Sequence, residues 1–472
     1  MGYYARGVVM VTGQDVLNSV HEDEIKWIDL QFSDIEGRLH HVSVHSRYLN
    51  MNTFTRGVPK LDASSIRGFY GSSEELVLLP DPETYAKLPW DQTTARLFCN
   101  LQEPRGGNRS DFDSRYIAKK AESALSGMGY TSKIGLQLEF FIFDNVTVDS
   151  LAPHKSQGYA VDSREAAWNY YGQNYPIGFD SGYMASPPKD ALSVFRSNIS
   201  DMLEGVFGIE ISSHKHGQAT AGHSALELKY ASPLRSADNL VTSKYVVKNA
   251  GAASNLMATF IPKPLYNQRG SSLRVHQSLW VGEKNAFYDA NEPTGELSQA
   301  ARYYIGGILG HAPALCAITN PTTNSYKRLM GEGFTRATWG IGNRSASVRV
   351  PVYERGNEDS KRVDYRIPDP ACNPYLALSA VVMAGLDGIK NKVEPGEPIT
   401  GATPDSELDK RLSPKLPRSL RDALENLRGD NAFLKSAFPS AILDRYLELK
   451  AEDVQKDATM PTPLEFRTYL DV

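Results

Sequence analysis

The sequence predicts an α+β fold, with a small β-rich N-terminal domain and a larger C-terminal domain of strands and helices. Residues 24–46 alternate apolar and polar side chains on either side of a turn at Ser33–Gly37, which is the pattern of a half-buried antiparallel hairpin. Farther along the chain, strand-like runs alternate with helical runs. This alternation is typical of an α/β domain with a large sheet and flanking helices.

A domain boundary is predicted near residue 112. The strand-like runs beyond it include residues 133–144 and 272–281, and the helical runs include residues 190–207 and 373–390. A Pro- and Gly-containing stretch leads to Asp113, whose side chain is suited to cap the start of a helix. We therefore assign residues 1–111 to the N-terminal domain and residues 112–472 to the C-terminal domain.

Composition excludes several classes of partner. At 472 residues and 41% apolar content, the chain can bury a large core. The formal net charge is −4 and no Lys/Arg-rich run stands out, so a nucleic acid or a membrane surface has no electrostatic support as a partner. No apolar run approaches the length of a membrane span. Three cysteines far apart in sequence argue against a disulfide framework, so a reducing, cytoplasmic location is expected.

Four segments carry a family resemblance. They are SSHKHGQATAGHSALELKY (residues 212–230), NSYKRL (324–329), NRSASVRVP (343–351) and RIPDPACNPYLAL (366–378). Together they resemble the glutamine synthetase family, type I-like, and the resemblance extends over the whole chain. It implies a β-grasp-like N-terminal domain and a barrel-like α/β catalytic domain. It also implies a homo-oligomer, a ring of six or a double ring of twelve, with active sites between neighbouring subunits.

The resemblance implies a reaction as well. In this family ATP phosphorylates the side-chain carboxylate of glutamate, and ammonia then displaces the phosphate. Divalent metal ions, Mg²⁺ or Mn²⁺, bring the anionic groups together and are held by Glu and His side chains.

Most positions that the resemblance assigns to metal ligands lack a carboxylate in this chain. These positions hold Gln137, Glu139, Gly217, Ala225, Arg274 and Asp364. Arg274 places a cation where the family has a metal-binding His. The combined changes shift the local charge by about four units, which would repel a dication. We therefore expect a divergent, metal-independent site, with Glu139 and Asp364 as the remaining metal candidates.

Other positions keep the residue types that the resemblance implies. The residues near the substrate carboxylate and the transferred charge are Arg328, Arg344, Arg366 and Gly270. Those near the nucleotide, if it is retained, are Ser278, His276 and Arg349. Arg269 replaces a family Asn that contacts glutamate, and Lys215 and Arg274 lie near the metal positions. Because Arg and Lys suit carboxylate and phosphate, all three are expected to bind the substrate.

The candidates for catalysis are Asp62, Arg344, His216 and Tyr183. By resemblance, Asp62 serves the neighbouring subunit and helps to deprotonate ammonium, although Asp before Ala-Ser-Ser is equally the pattern of a helix cap. His216 would transfer protons near neutral pH if it is accessible, but a hydrogen-bonded core histidine has the same pattern. Tyr183 matches a family tyrosine at the ligand pocket, and a packed aromatic residue would look the same.

Three functions stay open at this point. The first is an enzyme with altered chemistry that binds a carboxylate or amino-acid-like anion through arginines, without metal, ATP or another cofactor. The second is a non-catalytic protein that binds a ligand or forms a ring. The third is an ATP- and Mg²⁺- or Mn²⁺-dependent glutamate–ammonia or γ-glutamyl-amine ligase with a rearranged metal site. The losses at the metal positions favour the first.

Overall fold

The structure is a computed structural model. It describes residues 11–69, 75–105, 107–149, 151–152, 154–169, 175–352, 357–401, 403–411 and 413–472. The chain divides into two compact units. The first contains the described residues up to Tyr116 together with Gly205–Phe207, and the second contains the rest. The predicted boundary at residue 112 lies close to this division.

The N-terminal unit is built on one mixed sheet. Its helices and strands are α1 (Gly13–Glu22), β1 (Trp27–Ser33), β2 (Leu39–His45), α2 (Met51–Arg56), β3 (Val58–Asp62), β4 (Glu75–Pro80), β5 (Ala86–Leu88) and β6 (Asp91–Gln102). The sheet has the order β2-β1-β6-β4-β3, with β5 also paired to β6. Strands β1 and β2 pair antiparallel from Trp27–His45 to Ser33–Leu39, so the predicted hairpin is confirmed.

The second unit begins within the next helix. Its elements are α3 (Ser114–Gly127), β7 (Thr131–Phe143), β8 (Asn145–Asp149), β9 (Gly158–Asp162), α4 (Ser193–Phe207), β10 (Ile211–His216), β11 (His223–Ala231), α5 (Pro233–Ala253), β12 (Met257–Thr259), β13 (Leu273–Val281), β14 (Lys284–Asn285), α6 (Gln299–Thr319), α7 (Thr323–Glu332), β15 (Trp339–Ile341), β16 (Val348–Val350), β17 (Val363–Tyr365), α8 (Pro374–Asn391), α9 (Asp405–Lys410), α10 (Leu420–Gly429), α11 (Ser440–Thr459) and α12 (Pro463–Tyr469). The predicted strands and helices of this domain are confirmed. The side chain of Asp113 accepts a hydrogen bond from the backbone N–H of Arg115, as a cap of α3 does.

A nine-stranded sheet organises the second unit. Its strand order is β10-β11-β7-β13-β17-β16-β15, with β12 paired to β7 and β14 to β13. Lys215, Ala225 and Glu139 are partners across β10, β11 and β7, and Arg274 on β13 pairs with Gln137 on β7. Since alternate residues of a strand face the same side, Gln137 and Glu139 project together. The register therefore gathers the positions of interest on one face of the sheet.

Helices α6 and α8 pack closely through small residues. A Cβ atom added to Gly307 would lie 2.1 Å from the carbonyl oxygen of Ala384, and one added to Gly388 would lie 2.2 Å from that of Tyr303. Only glycine allows this approach of the two backbones. Both helices are buried along most of their length, which explains the apolar sequence of α8.

Among the described residues, no helix is long and apolar enough to cross a membrane. The three cysteines Cys99, Cys316 and Cys372 are buried and free.

One histidine joins three segments of the helical layer. His311 on α6 lies with Nδ1 2.8 Å from Oδ2 of Asp430 and Nε2 3.1 Å from Oδ2 of Asp387, and its ring stacks on Phe433. Burial alone would lower the pKa of His311, but the hydrogen bonds to Asp430 and Asp387 outweigh it and raise the pKa above its ordinary value.

We predict that His311→Gln lowers the melting temperature more at about pH 6 than at about pH 9. The charged imidazole contributes stability that is fully present below its unfolded pKa of about 6.5 and is lost as the pH rises through the raised folded pKa. Thermal unfolding across this pH range measures the effect. Substitution of the exposed His154 by Gln is the matched control, and an equal loss at both pH values for His311→Gln would contradict the prediction.

Candidate active site

A cavity of about 430 Å³ opens on the second unit beside strands β7, β10, β11 and β13. The predicted site residues that line it are Glu139, Tyr183, Lys215, Arg269, Gly270, Arg274, Arg344 and Arg366. The lining also contains Gln137, Asp180, Gly217, Gln218, His223, Ala225, Ser272, Glu332 and Phe334. Its five Lys and Arg side chains and three carboxylates give a formal net charge of +2. The cavity is therefore suited to an anionic ligand.

Glu139 is surrounded by hydrogen-bond donors. Ser272 donates from its backbone N–H and its hydroxyl to Oε2 of Glu139, each at 2.8 Å. Nε2 of Gln137 lies 3.0 Å and Nη2 of Arg274 lies 3.4 Å from Oε1. Burial alone would raise the pKa of Glu139, but His223, the charge of Arg274 and the backbone N–H of Ser272 hold it well below its ordinary value. Glu139 is thus a buried, ionised carboxylate that the protein itself satisfies.

His223 occupies the space beside Glu139. Its Nδ1 accepts a hydrogen bond from the backbone N–H of Ala219, so Nε2 carries the hydrogen and faces Oε2 of Glu139 at 3.8 Å. The ring stacks on Phe141 with centroids 4.5 Å apart. A Cβ atom at Gly217 would lie 2.4 Å from this ring. While His223 holds this position, residue 217 must be glycine.

Asp364 on β17, the strand beyond β13, is likewise held by donors of the protein. Nδ1 of His276 lies 2.5 Å from its Oδ1, and Nη1 of Arg349 lies 3.3 Å from its Oδ2. Burial alone would raise the pKa of Asp364, but His276 and the adjacent arginines lower it. His276 and Asp364 are buried, as is Ser278, whose hydroxyl accepts a hydrogen bond from the indole N–H of Trp280. The residues predicted to lie near the nucleotide therefore form a network within the sheet, and their nucleotide role stays a prediction.

The three predicted substrate arginines occupy different environments. Arg344 is exposed at the cavity, and Arg366 is partly buried there. Burial and the nearby charge of Arg274 lower the pKa of Arg366 to about 10, so it remains cationic at neutral pH. Arg328 is fully buried and donates to the carbonyl oxygen of Pro368 and to Glu332. It is not among the lining residues, and it instead supports the wall of the cavity.

The absence of a side chain at Gly270 allows the backbone to lie close to Arg328. A Cβ atom at this position would lie 2.1 Å from the carbonyl oxygen of Pro262 and 2.9 Å from Cγ of Arg328. A side chain at position 270 would displace one of the two. Glycine is therefore required for this part of the cavity wall.

Two predicted catalytic residues lie elsewhere. His216 is fully buried, with Nε2 3.2 Å from Glu165 and Nδ1 2.8 Å from the carbonyl oxygen of Gly217, so it has no access to the cavity lining. Asp62 belongs to the N-terminal unit, where its carboxylate accepts hydrogen bonds from Ser64 and Ser65 and caps a short 3₁₀ helix at Ala63–Ser65. The capping alternative thus describes Asp62 in a single chain, and its role at a neighbouring subunit stays a prediction.

The residues at the implied metal positions do not fit a divalent cation as they are arranged. In the part of the chain that the structure describes, no group of three or more His, Cys, Asp or Glu side chains is placed to hold a metal ion. Glu139 and Asp364 are acidic, but donors of the protein already occupy their oxygens. A metal at these positions would have to displace those donors.

Asp180, Gln218 and Ser272 line the cavity but were not predicted from the sequence, whereas Glu332 was the nearest candidate for the glutamate that closes over the ammonium site in the family, with Phe334 at the position that counting from Arg328 gives. Glu332 is the last residue of α7, and Gly333, with a φ of +78°, ends the helix after it. The carboxylate of Glu332 accepts a hydrogen bond from Nη1 of Arg328 at 3.1 Å. For Asp180 no sequence signal was available, since its place depends on the loop hydrogen bond from its backbone N–H to Gln268.

Comparison with known proteins decides the family. The family model described as "Glutamine synthetase, catalytic domain" matches residues 111–469, and "Glutamine synthetase, beta-Grasp domain" matches residues 24–104. The chain belongs to the glutamine synthetase family. The predicted fold, a β-grasp N-terminal domain followed by a glutamine-synthetase catalytic domain, is confirmed.

Relatives match over almost the whole chain. The glutamine synthetase of Sulfolobus acidocaldarius is 42% identical, over 97% of this chain and 98% of its own. That of Vibrio cholerae is 38% identical, over 97% and 99%. The cryo-EM structure of Plasmodium falciparum glutamine synthetase superposes with a TM-score of 0.86 at 25% identity, over 97% and 98%. A structure titled "Apo GmaS without ligand" gives 0.80 at 25% identity, over 97% and 100%.

These relatives correct the functional prediction. Proteins named glutamine synthetase and 36–42% identical to this chain over nearly its full length indicate an ordinary member of the family. The expectation of an enzyme with altered chemistry and a divergent, metal-independent site is wrong, and so is the non-catalytic alternative. The expectation that no cofactor is used is also wrong, because glutamine synthetases depend on ATP and divalent metal ions. The altered metal positions are only a few residues, whereas the identity extends over nearly the whole chain.

We predict that Glu139→Gln lowers the free energy of unfolding by about 1–3 kcal/mol. The change removes a buried charge and leaves the donors of Ser272 and Arg274 with a weaker acceptor. Urea unfolding monitored by circular dichroism measures the loss. Glu425→Gln, the same change on an exposed face of α10, is the matched control and should change stability by less than about 0.5 kcal/mol. Equal stabilities for the two variants would contradict this account of Glu139.

Proposed function

We propose that this protein is an ATP-dependent glutamate–ammonia ligase. The observation that supports the proposal most is the gathering of Arg344, Arg366 and Gly270 around one cavity in a chain that resembles glutamine synthetases from end to end. These positions match those that meet glutamate in the family. The net charge of +2 in the lining suits an anionic substrate.

The proposed chemistry gives the arginines two roles. The guanidinium groups of Arg344 and Arg366 bind glutamate and stabilise the negative charge that develops when its side-chain carboxylate is phosphorylated and when ammonia then displaces phosphate. Such charge stabilisation is worth most in a site that excludes water and is already organised. Arg366 is partly buried and Arg344 is exposed, so Arg344 is the one that is free to move toward a ligand.

ATP and a divalent metal ion would supply the phosphoryl group and offset its charge. Glu139 and Asp364 are the acidic residues at the implied metal positions, and both are saturated by protein donors. Their arrangement does not form a ligand set, so the proposed roles concern the protein's own side chains. Lys215, Arg269 and Arg274 contribute further positive charge to the lining.

The assembly is part of the proposal. We infer a homo-oligomer, a ring of six or a double ring of twelve, in which Asp62 of one subunit serves the site of its neighbour. The exposed position of Asp62 leaves its carboxylate accessible. The hydrogen bonds from Ser64 and Ser65 lower its pKa, so the carboxylate is ionised and attracts the ammonium cation by its charge.

Release of phosphate tests the reaction. With ATP, glutamate, ammonium and Mg²⁺ or Mn²⁺, we expect phosphate release that requires both glutamate and ammonium. Arg344→Gln should lower kcat/KM by about 10²–10³ because it removes a cation that stabilises transferred charge. Arg421→Gln, the same change on an exposed face of α10, should leave the rate unchanged. If the wild-type protein releases no phosphate that depends on glutamate and ammonium with either metal, the proposal fails.

A mixing experiment tests the shared site. Asp62→Asn and Arg344→Gln chains should each be inactive as homo-oligomers, whereas co-expression should restore activity to about one quarter of the wild-type value. This fraction arises because random assembly gives one interface in four with both native residues. Steady-state rates of the purified hybrids measure it. No gain on co-expression would place Asp62 outside the neighbouring site.

A further inference from the structure

A loop at residues 177–184 carries two of the side chains that line the cavity, Asp180 and Tyr183. The loop, every residue of which the structure describes, lies between β9 and α4 and outside any helix or strand. Tyr183 is 48% exposed, so packing of its own ring does not fix it. Asp180 is held by the hydrogen bond from its N–H to Gln268. The position of Tyr183 must therefore come from the residues on either side of it.

His216 forms hydrogen bonds with the loop on both sides of Tyr183. Its Nδ1 lies 3.0 Å from the carbonyl oxygen of Gly182 and 2.8 Å from that of Gly217. Because carbonyl oxygens only accept, Nδ1 carries a hydrogen and donates it to them. The carbonyl oxygen of His216 in turn accepts from the N–H of Met184 at 3.2 Å. One buried histidine thus holds the residue before Tyr183 and the residue after it.

Glu165 holds the same segment at two further points. Its backbone carbonyl oxygen accepts from the N–H of Ile177 at 2.7 Å, where the loop begins. Its side-chain Oε1 accepts from the N–H of Leu192 at 3.0 Å, just before α4. Its Oε2 lies 3.2 Å from Nε2 of His216. Glu165 and His216 therefore form one hydrogen-bonded pair that contacts the beginning, the middle and the end of residues 177–192.

Burial makes these hydrogen bonds costly to lose. The side chains of Glu165 and His216 are both fully buried, so water cannot replace a partner that is removed. Since Nδ1 already donates to the two carbonyl oxygens, one further hydrogen lies between Nε2 and Oε2, and the pair as a whole is neutral. Either side chain without the other would be left with an unpaired polar group in the interior.

Gly182 allows the loop to lie directly on His216. A Cβ atom at this position would lie 2.6 Å from Nδ1 of His216 and 2.6 Å from the carbonyl oxygen of Ala219. Alanine at residue 182 would therefore force the loop away from the histidine without removing either member of the buried pair.

We propose that Glu165 and His216 are positioning residues, which fix Tyr183 at the cavity by holding the loop. Neither of them is among the lining residues, so both act through the loop and not on the substrate. His216 then has a role other than the proton transfer predicted from the sequence. The effect on turnover rests on the proposed ligase function, whereas the position of the loop is measurable without any reaction.

Hydrogen exchange of the purified full-length protein, followed by mass spectrometry over residues 177–192, is the test. We expect Glu165→Leu and Gly182→Ala each to speed exchange in the loop by about tenfold or more, because each releases it from His216. Glu165→Gln should exchange as the wild type does. Its amide oxygen can accept from Leu192, and its amide N–H can donate to Nε2 of a neutral His216.

His311→Gln is the matched control, because it removes a hydrogen-bonded histidine from the helical layer of the same unit and should leave exchange in the loop unchanged. Thermal unfolding reports whether each variant is folded, and Gly182→Ala decides the outcome if Glu165→Leu does not fold. The proposal is overturned if the folded Glu165→Leu and Gly182→Ala variants exchange as the wild type does, if His311→Gln speeds exchange equally, or if Glu165→Gln is as disruptive as Glu165→Leu.

A double-mutant cycle shows whether the pair acts on the reaction through Tyr183. Glu165→Leu should lower kcat/KM by about tenfold or more in the native background, but by less than about threefold when Tyr183→Ala is already present. A general loss of stability would add to the effect of Tyr183→Ala, and such additivity would contradict the proposed route. Absence of turnover in the wild-type protein would contradict the ligase function alone, and hydrogen exchange would then decide the positioning role by itself.

Discussion

The interaction on which the cavity depends is the satisfaction of Glu139 by donors from its own chain. A buried carboxylate is tolerated only when hydrogen bonds and opposite charge replace the water that it has lost. Ser272 supplies two donors, Gln137 one, and Arg274 the charge. This arrangement keeps Glu139 ionised, orients Arg274 and fixes the position of β13 against β7. The charges of this part of the cavity wall are therefore fixed in position before a ligand binds.

The three arginines of the family motifs differ in how deeply they are buried, and their contacts differ accordingly. Arg328 lies under the wall, donates to Pro368 and Glu332, and requires glycine at position 270 for the backbone to pass it. Arg344 and Arg366 reach the cavity itself. A buried guanidinium must donate its hydrogen bonds to acceptors of the protein, whereas one at a cavity can donate them to a ligand. The arginine under the wall and the two that line the cavity are thus distinguished by their surroundings, which the motifs alone do not reveal.

Much of the fold followed from sequence periodicity. The hairpin of β1 and β2 and the helix after Asp113 have local signals, an alternating pattern and a cap, and both were predicted. The site was less accessible to such reasoning, because its geometry depends on pairing between distant strands. The contacts of Ser272 and His223 with Glu139 arise because β13 and β11 pair with β7. No local sequence pattern predicts such contacts between distant strands. The burial of His216 likewise depends on Glu165, which is 51 residues away.

The family of the chain is determined by residues along its whole length, whereas the charge of the cavity is determined by a few of them. Identity of 36–42% over nearly the whole chain averages over every position, so it decides the family and the fold. The charge of the cavity is set by a few residues that such an average scarcely registers. Their geometry is coupled as well, since His223 fills the space of a side chain at position 217 and Phe141 holds it there. A carboxylate at residue 217 would therefore require a change at His223 too, and neither position can vary independently of the other.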